Sequence, residues 1–440
     1  MNWKKILKYL LLILILGTVI FVFLAQRDLK KIYGGLTNQV DPSTFTISAN
    51  PVLIQNVNVL SADGQNFQPN RSVVIEEGKI VSIDSINLSP EGYEVINGEG
   101  KFLIPGLIDS HVHLFKSPND LLLYIANGVT GIREMIGEDD HLEWRKEIEQ
   151  GRLGPDMYIA SPRLGSFGKF EGWFMEWSQG FNTINDEEDA KSLMQEYAEK
   201  GYDAVKIYSQ LNKESYEAIN KIAPSEGLDV VGHIPWSIEL ADLWTSNQKE
   251  IAHLEELMNA IRREFGRIEG QEGADNFLAY IDRRSKEIVP ELISNGISVT
   301  TTLWLTESFV RQKFELDQVL REVELVYENP GISEWNKRIP QGLGWLPEVN
   351  RYKMPDAGSL TQEELENRKI FWTVYAEACQ LLLKKLNEGG VKLMAGTDAN
   401  LPPTVPGFSL HDELLSMNKA GMNPREVLQA ATATPADWMG

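Results

Sequence analysis

Six histidines occur in this 440-residue chain, and their positions suggest metal chemistry: His111, His113, His141, His233, His253 and His411. One residue separates His111 from His113. In a β-strand residues two apart face the same side, so both imidazoles can reach one cation. The apolar run Leu103–Ile108 leads into this pair. His233 follows Asp229–Gly232 and His253 ends Glu250–His253, both β-type runs. Lys206 lies inside another such run, between Val205 and Ile207, where a lysine needs a specific partner. Asp398 follows Lys392–Ala395. Imidazole nitrogens and carboxylate oxygens are zinc-type donors, and a metal held by them supports hydrolysis at neutral pH without a serine or cysteine nucleophile. His141, among Asp139, Asp140 and Glu143, reads as a surface residue. His411 opens a helical stretch, either as a substrate contact or as an exposed helix-start residue.

The elements that would position these groups alternate between strand and helix. Strand candidates are Phe102–Ile108, Val129–Glu134, Met157–Ser161, Ala204–Tyr208, Asp229–Gly232, Glu250–His253, Ile297–Thr302 and Lys392–Ala395. Helical stretches such as Glu187–Lys200, Lys213–Ile222, Gln362–Asn387 and His411–Ala420 separate or follow them. Such alternation predicts an α/β fold, a (β/α)8 TIM-like barrel over residues 101–440, with the chemistry at the C-terminal ends of its strands. Before it, residues 51–100 form a small β-sandwich unit from the runs Val52–Ile54, Val57–Leu60, Ser72–Ile75 and Lys79–Ile83, with turns at Asp63-Gly64 and Glu77-Gly78. Residues 256–290 are charged and helical in character. Residues 304–360 hold Trp304, Trp335, Trp345 and Gly342–Gly344, and read either as a lid over the site or as packing on the outside.

The N-terminus is a separate case. Lys4, Lys5 and Lys8 precede an uncharged, mainly apolar run from Tyr9 to Ala25, and Arg27, Lys30 and Lys31 follow it. Its length approaches that of a spanning helix, and no small-x-small cleavage site follows. Residues 1–31 therefore read as an uncleaved transmembrane anchor in preference to a cleaved signal, and 32–50 as a polar stalk. The basic N-terminal flank keeps that end in the cytoplasm, so the catalytic body would be membrane-anchored on the extracytoplasmic side. A net charge of −21 argues against nucleic acid as a partner. With one cysteine, Cys379, the chain has neither an intramolecular disulfide nor a cysteine-based zinc site, and Cys379 sits in a leucine-rich helical pattern that reads as core.

Taken together, the motifs resemble those of the amidohydrolase superfamily. Leu103-Ile104-Pro105-Gly106-Leu107-Ile108-Asp109-Ser110-His111-Val112-His113 looks like its signature, and Gly128-Val129-Thr130 through Arg133-Glu134 fits the second strand. Val205-Lys206-Ile207-Tyr208, Val231-Gly232-His233, Ile251-Ala252-His253 and Ala395-Gly396-Thr397-Asp398-Ala399 follow in the family's order, and then Leu410–Leu414 and Ala431–Ala436. The likeness covers about residues 51–440 and is strongest to the imidazolonepropionase-like and Xaa-Pro dipeptidase-like group.

The resemblance implies two divalent metal ions, best matched by zinc, with iron, manganese and nickel open to the same donors. His111, His113 and Asp398 would hold the first, His233 and His253 the second, and Lys206 would bridge them. An ammonium has three donors and no acceptor; in the family the lysine is carboxylated by CO2, becoming an anionic carbamate. Asp398 would take a proton from the attacking water and pass it to the leaving nitrogen. Arg133 could pair with a substrate carboxylate and Tyr208 could donate to the scissile carbonyl, or both could equally support the ligands or the fold; His411 could touch the substrate. The activity implied is hydrolysis of a C–N bond in a small-molecule amide, dipeptide or cyclic amide. The rivals are a one-metal deaminase-type enzyme, against which Lys206 argues, and a catalytically silent membrane-anchored binding protein, which would have lost ligand positions. Relatives continue past the Ala-Thr-x-x-Pro-Ala stretch into strands that complete the small β unit, whereas the sequence stops at Gly440; either it is truncated or the unit is completed otherwise, and without such partners strands 52–83 would keep unpaired edges.

Overall fold

Runs of β-branched residues form the strands and amphipathic segments the helices, and the computed structural model describes residues 3–45, 50–61, 64–84, 89–333, 354 and 359–440. A small sheet comes first: β1 (Val52–Leu60), β2 (Phe67–Glu76), β3 (Lys79–Asp84), β4 (Glu94–Asn97) and β5 (Phe102–Leu103). Its order is β3-β2-β1-β4, with β5 also on β1. The hairpin β2–β3 turns at Glu77-Gly78, where φ is +50° and +74°, as a tight two-residue connection requires. Two expectations are corrected. The runs 52–54 and 57–60 are one strand whose register shifts around Asn56, at φ +59°. Phe102-Leu103 pair with β1 of this sheet, so the first strand of the main body begins later, at Leu107. Asp63 of the expected Asp63-Gly64 turn lies outside the described residues.

The main body is built from parallel strands in chain order: β6 (Leu107–Val112), β7 (Val129–Glu134), β8 (Asp156–Ile159), two short pieces β9 (Leu164–Gly165) and β10 (Asn182–Thr183), β11 (Ala204–Ile207), β12 (Asp229–Gly232), β13 (Gln248–Ile251), β14 (Ser298–Thr300) and β15 (Leu393–Met394). They pair as β6-β7-β8 and β10-β9-β11-β12-β13-β14-β15. The two groups meet at both ends. Ser161 N–H donates to Ala204 O at 2.8 Å across the first seam. Ser110 N–H donates to Ala395 O at 2.8 Å across the second, and His113 N–H to Ala399 O at 2.6 Å. The α/β class with a parallel sheet is thus as expected, and helices Glu187–Lys200 and Lys213–Ile222 keep their expected bounds. Cys379 is buried in the core between strands and outer helices. The charged stretch 256–290 falls within helices Leu254–Phe265 and Gly270–Ser294. Trp304 lies in the helix Leu303–Phe314, whereas Trp335, Trp345 and Gly342–Gly344 lie outside the described residues.

The N-terminal segment is one continuous helix, Trp3–Ile32. Its apolar part is exposed along its length, and it alone among the described helices is long and apolar enough to cross a membrane. From Ala25 onward the helix is seated on the body: Ala25, Asp28 and Ile32 are buried. Tyr33 O accepts Lys116 N–H at 2.8 Å, and Asn329 Nδ2 donates to Ile32 O at 3.1 Å. The expected free stalk therefore begins as a docked segment; Thr37 still bonds Asn329 at 2.7 Å and Val40 N–H bonds Asn119 at 2.8 Å.

Two buried carboxyls with no ion-pair partner among the described residues give the fold a pH signature. Asp120 accepts hydrogen bonds from Ser117 at 2.6 Å and Asn400 at 3.0 Å. Glu413 caps the helix Leu303–Phe314, accepting from Leu303 N–H at 2.9 Å and Trp304 N–H at 2.6 Å. Burial pushes both up to about 7, from ordinary values of 3.8 and 4.5. The folded state therefore holds more protons than the unfolded chain between about pH 4.5 and pH 7, so stability falls as pH rises through that window. Asp120→Asn should flatten the slope by up to about 1.4 kcal/mol per pH unit. Urea midpoints measured across the window test this; an unchanged slope would refute it.

Candidate metal centre

Each chemistry-bearing residue leaves a strand at or just past its C-terminal end, where carbonyls and side chains turn toward the loops. His111 lies near the end of β6, with His113 just beyond it; Lys206 is in β11, and His233, His253 and Asp398 follow β12, β13 and β15. The backbone is bent sharply at these exits. His253, Thr302 and Asp398 have φ of +75°, +45° and +59°, a region non-glycine residues avoid and that clusters at functional sites. Gly232 has φ +129°, and a Cβ there would lie 2.2 Å from Ile207 O, so only glycine lets β12 deliver His233 this close to β11.

These exits bring all six residues together. The imidazoles form a chain of ring centroids: His113–His111 at 5.0 Å, His111–His253 at 4.1 Å and His253–His233 at 5.1 Å. Asp398 lies among them, its carboxylate 2.8 Å from His113 Nε2, 3.6 Å from His111 Nε2 and 3.9 Å from His253 Nδ1. Donor atoms of His111, His113 and Asp398 all fall within 4.8 Å of one another, a spacing that can hold a cation. Lys206 is fully buried, and its charge is felt by His111, His233, His253 and Asp398.

Electrostatics favour ligation. Burial, reinforced by the Lys206 charge, holds His111 and His233 well below the usual imidazole value; burial pulls His253 down to about 4. These rings are neutral at pH 7, the form that binds metal. Burial also disfavours the charge on His113, but the Asp398 carboxylate that accepts from its Nε2 at 2.8 Å and the nearby negative charge of Glu134 outweigh burial and raise its value. Asp398 is driven up by burial and, more strongly, down by His253 and His113, so it stays ionised. Burial lowers Lys206 to about 8 against the opposing pull of Glu250 and Asp398, leaving it a substantial free-amine fraction. Among the described residues, neither nitrogen of His111 and not Lys206 Nζ has a hydrogen-bond partner. Each buried orphan of this kind costs about 1–3 kcal/mol, more for a charge. The donor set is therefore incomplete by itself and fits divalent cations.

Several supporting groups carried no signal in the sequence. Glu134 accepts Leu114 N–H at 2.6 Å and Ile136 N–H at 2.8 Å, and its carboxylate lies 3.8 Å from His113 Nδ1. Asp109 accepts Thr397 N–H at 3.0 Å and its hydroxyl at 2.7 Å, pinning β6 to the loop that carries Asp398. Ser209 and Glu256 lie 2.7 and 3.2 Å from His233 Nδ1, and Thr302 lies 3.3 Å from His253 Nδ1. Such partners fix ring orientation and tautomer. All are common polar residues, and only their positions in space distinguish them.

Two expectations about individual residues, those for Arg133 and His141, are corrected, and His411 takes the exposed helix-start alternative. Arg133 does not face an open site. It is fully buried, paired with Glu250 at 3.2 Å and stacked over Trp438 at 4.2 Å, toward the floor of the strand assembly. Arg133→Ala would strand the Glu250 charge in the core, so it should destabilise the protein by about 3–5 kcal/mol. A denaturation curve checks this; a raised KM at unchanged stability would restore the substrate-binding role. His411 is exposed on the helix Phe408–Lys419, its Nε2 3.0 Å from Asn127 O, and does not reach the cluster. His141 is buried: its Nδ1 accepts Glu138 N–H at 3.1 Å and its Nε2 lies 2.6 Å from Phe115 O, so it caps a helix inside the fold. Tyr208 does border the centre, its ring stacked on His233 at 4.1 Å.

Known proteins share this fold. No family model matches the chain. Among solved structures, bottromycin amidohydrolase superposes with a TM-score of 0.65 at 21% identity, covering 94% of this chain and 84% of that one. A Xaa-Pro dipeptidase with bound methionine in its active site gives 0.59 at 17% identity, covering 88% of each chain. In sequence, 144 residues are 37% identical to N-acetylglucosamine-6-phosphate deacetylase of Lysinibacillus sphaericus, 32% of this chain and 32% of that enzyme. A further 138-residue match, 26% identical, is to 5-methylthioadenosine/S-adenosylhomocysteine deaminase of Bacillus cereus, 31% of this chain and 29% of that enzyme. The matched segments thus span about a third of these curated relatives. The chain has the amidohydrolase fold, and its structural neighbours and local sequence relatives belong to the amidohydrolase superfamily.

Proposed function

We propose that this chain is a membrane-anchored, metal-dependent hydrolase of C–N bonds in small amides, with dipeptides and N-acyl amino acids as the leading substrates. The observation that carries the reading is the meeting of four imidazoles, three of them held neutral, one ionised carboxylate and one unpartnered lysine at the ends of successive strands. We read the closed succession of strands as a (β/α)8 barrel, whose active sites lie at that end. The helix Trp3–Ile32 serves as the anchor, with the body on the extracytoplasmic side.

His111, His113 and Asp398 would hold one cation; His233 and His253 would hold a second, with Lys206 between them. Zinc suits these donors. When bound, such ions supply an activated water and polarise the scissile carbonyl. Asp398 is placed to accept the water's proton, because its carboxylate is ionised and held 2.8 Å from His113 while its own N–H donates to His111 O at 2.8 Å. The same oxygen would return the proton to the leaving nitrogen. Tyr208, stacked on His233, would donate to the substrate carbonyl. As an ammonium Lys206 cannot ligate; its free-amine fraction would permit addition to CO2, the amine proton leaving to solvent, which makes it an anionic oxygen donor able to serve both cations.

One observation favours a one-metal, deaminase-like reading: the three-ligand cluster is complete without Lys206. A panel of dipeptides, N-acyl amino acids and amino-heterocycles separates the two, using full-length protein loaded with zinc or manganese and bicarbonate. Amide hydrolysis that disappears with chelators is expected. Turnover that survives strong chelation, or deamination without amide hydrolysis, would overturn the proposal.

A further inference from the structure

The rim of the centre carries apolar residues that the proposed chemistry does not use. On the helix Lys169–Gln179, Phe170, Trp173 and Phe174 are 80%, 60% and 47% exposed. With Trp177 they follow the i, i+3, i+4, i+7 spacing of a single helical face, and neighbouring rings lie 6.1–6.4 Å apart. The opposite face is fixed: a Cβ on Gly172 would lie 2.6 Å from Thr183 Oγ1, so the helix is seated tightly on the body and its aromatic face is held outward. Trp236, just past His233, and Val326, three residues before the Asn329 that grips Ile32, are also exposed.

The N-terminal helix docks on the same rim. A cavity of about 450 Å3 lies between the two helices, with Gln26 and Tyr33 on one wall and Trp177 and Gly180 on the other. Phe115 and Arg163 also line it, with charged groups such as Lys116 and Glu138, and these two residues stand next to the centre. The Phe115 ring is 6.0 Å from His113, and Arg163 lies over Tyr208 at 5.6 Å, itself stacked on His233. Length then restricts where this rim can be. The apolar run Tyr9–Ala25 rises about 26 Å at 1.5 Å per residue, against a hydrocarbon core of about 30 Å. Contact with the body begins at Ala25, so no spacer separates the end of the run from the cavity wall.

We propose that the rim is applied to the surface of the membrane that takes the N-terminal helix, the helix Lys169–Gln179 lying in the interface, and that the substrates are amphiphilic amides entering from that surface through the cavity. Tryptophan and phenylalanine on one face of a short helix suit the headgroup boundary. The substrate half rests on the hydrolytic reading above; the surface half rests only on the anchor.

Full-length protein in phosphatidylcholine vesicles tests both. Cysteines placed by Phe170→Cys, Trp173→Cys and, before β12 at the far end, Glu226→Cys would take a nitroxide, the native Cys379 being buried. Labels at 170 and 173 should be relaxed more by oxygen than by a water-soluble nickel chelate, and the label at 226 the reverse. Aqueous behaviour at 170 and 173, or dipolar coupling between labels on two chains, would overturn the surface half. The triple variant Phe170→Glu, Trp173→Glu, Phe174→Glu should raise KM about tenfold for an N-dodecanoyl amino acid in the vesicles and leave the N-acetyl analogue unchanged. An equal effect on both, or none on the dodecanoyl compound, overturns the substrate half. If neither is cleaved by the parent protein, the hydrolytic reading and the substrate half fall together, while the nitroxides still decide the surface.

Discussion

Asp398→Asn is expected to lower kcat by at least about 10³-fold while the protein remains folded. The amide is isosteric, so packing around the buried side chain is kept. What disappears is the ability to take a proton, together with one negative charge among three close imidazoles. Metal affinity should fall as well, because His111 and His113 would be left as the sole complete pair of the three-ligand cluster. Thermal melting, metal content and kcat measured on one preparation distinguish the outcomes. A variant that retains a tenth of the parent rate would remove Asp398 from the proton path.

Lys206→Met should have the second-largest effect and an unusual pairing of signs. Methionine fills a similar volume but provides neither an ammonium nor a site for CO2. Metal content should drop from two per chain toward one, with kcat lower by about 10²–10⁴-fold. In metal-free protein the same change should raise stability, since a buried ammonium with no hydrogen-bond partner among the described residues is replaced by an apolar side chain. A lysine serving only to neutralise Glu250 would behave in the opposite way, destabilising the core and sparing activity. Bicarbonate should promote metal uptake by the parent and not by the variant. Two metals retained in Lys206→Met would exclude the bridging role.

Periodicity made much of this site legible. His111-x-His113 in a strand-like run, histidines at the ends of two further runs, a lysine between Val205 and Ile207 and an aspartate past the last run are local patterns. Local patterns are what strand geometry reads out: alternation fixes which side chains share a face, and strand ends fix where the chain turns. Arg133 shows the limit. Its position near the end of β7 matches a substrate contact, but the partner that claims its charge, Glu250, lies 117 residues away. The same holds for His141, whose polar neighbours in sequence suggest a surface and whose actual partners, Glu138 N–H and Phe115 O, enclose it.

The amino-acid sequence by itself determined the α/β class, the bounds of several helices, the identity of the six candidate ligand residues and the apolar N-terminal run. Each depends on side-chain type and short-range spacing. Only the tertiary structure decided that the six residues meet and that Glu134, Asp109, Ser209 and Thr302 orient them. It also decided that the end of the N-terminal helix and the first residues after it, through Val40, rest on the body instead of trailing away as a stalk. These are contacts between segments tens to hundreds of residues apart. Their energies come from burial and from hydrogen bonds that exist only once the distant strands have come together.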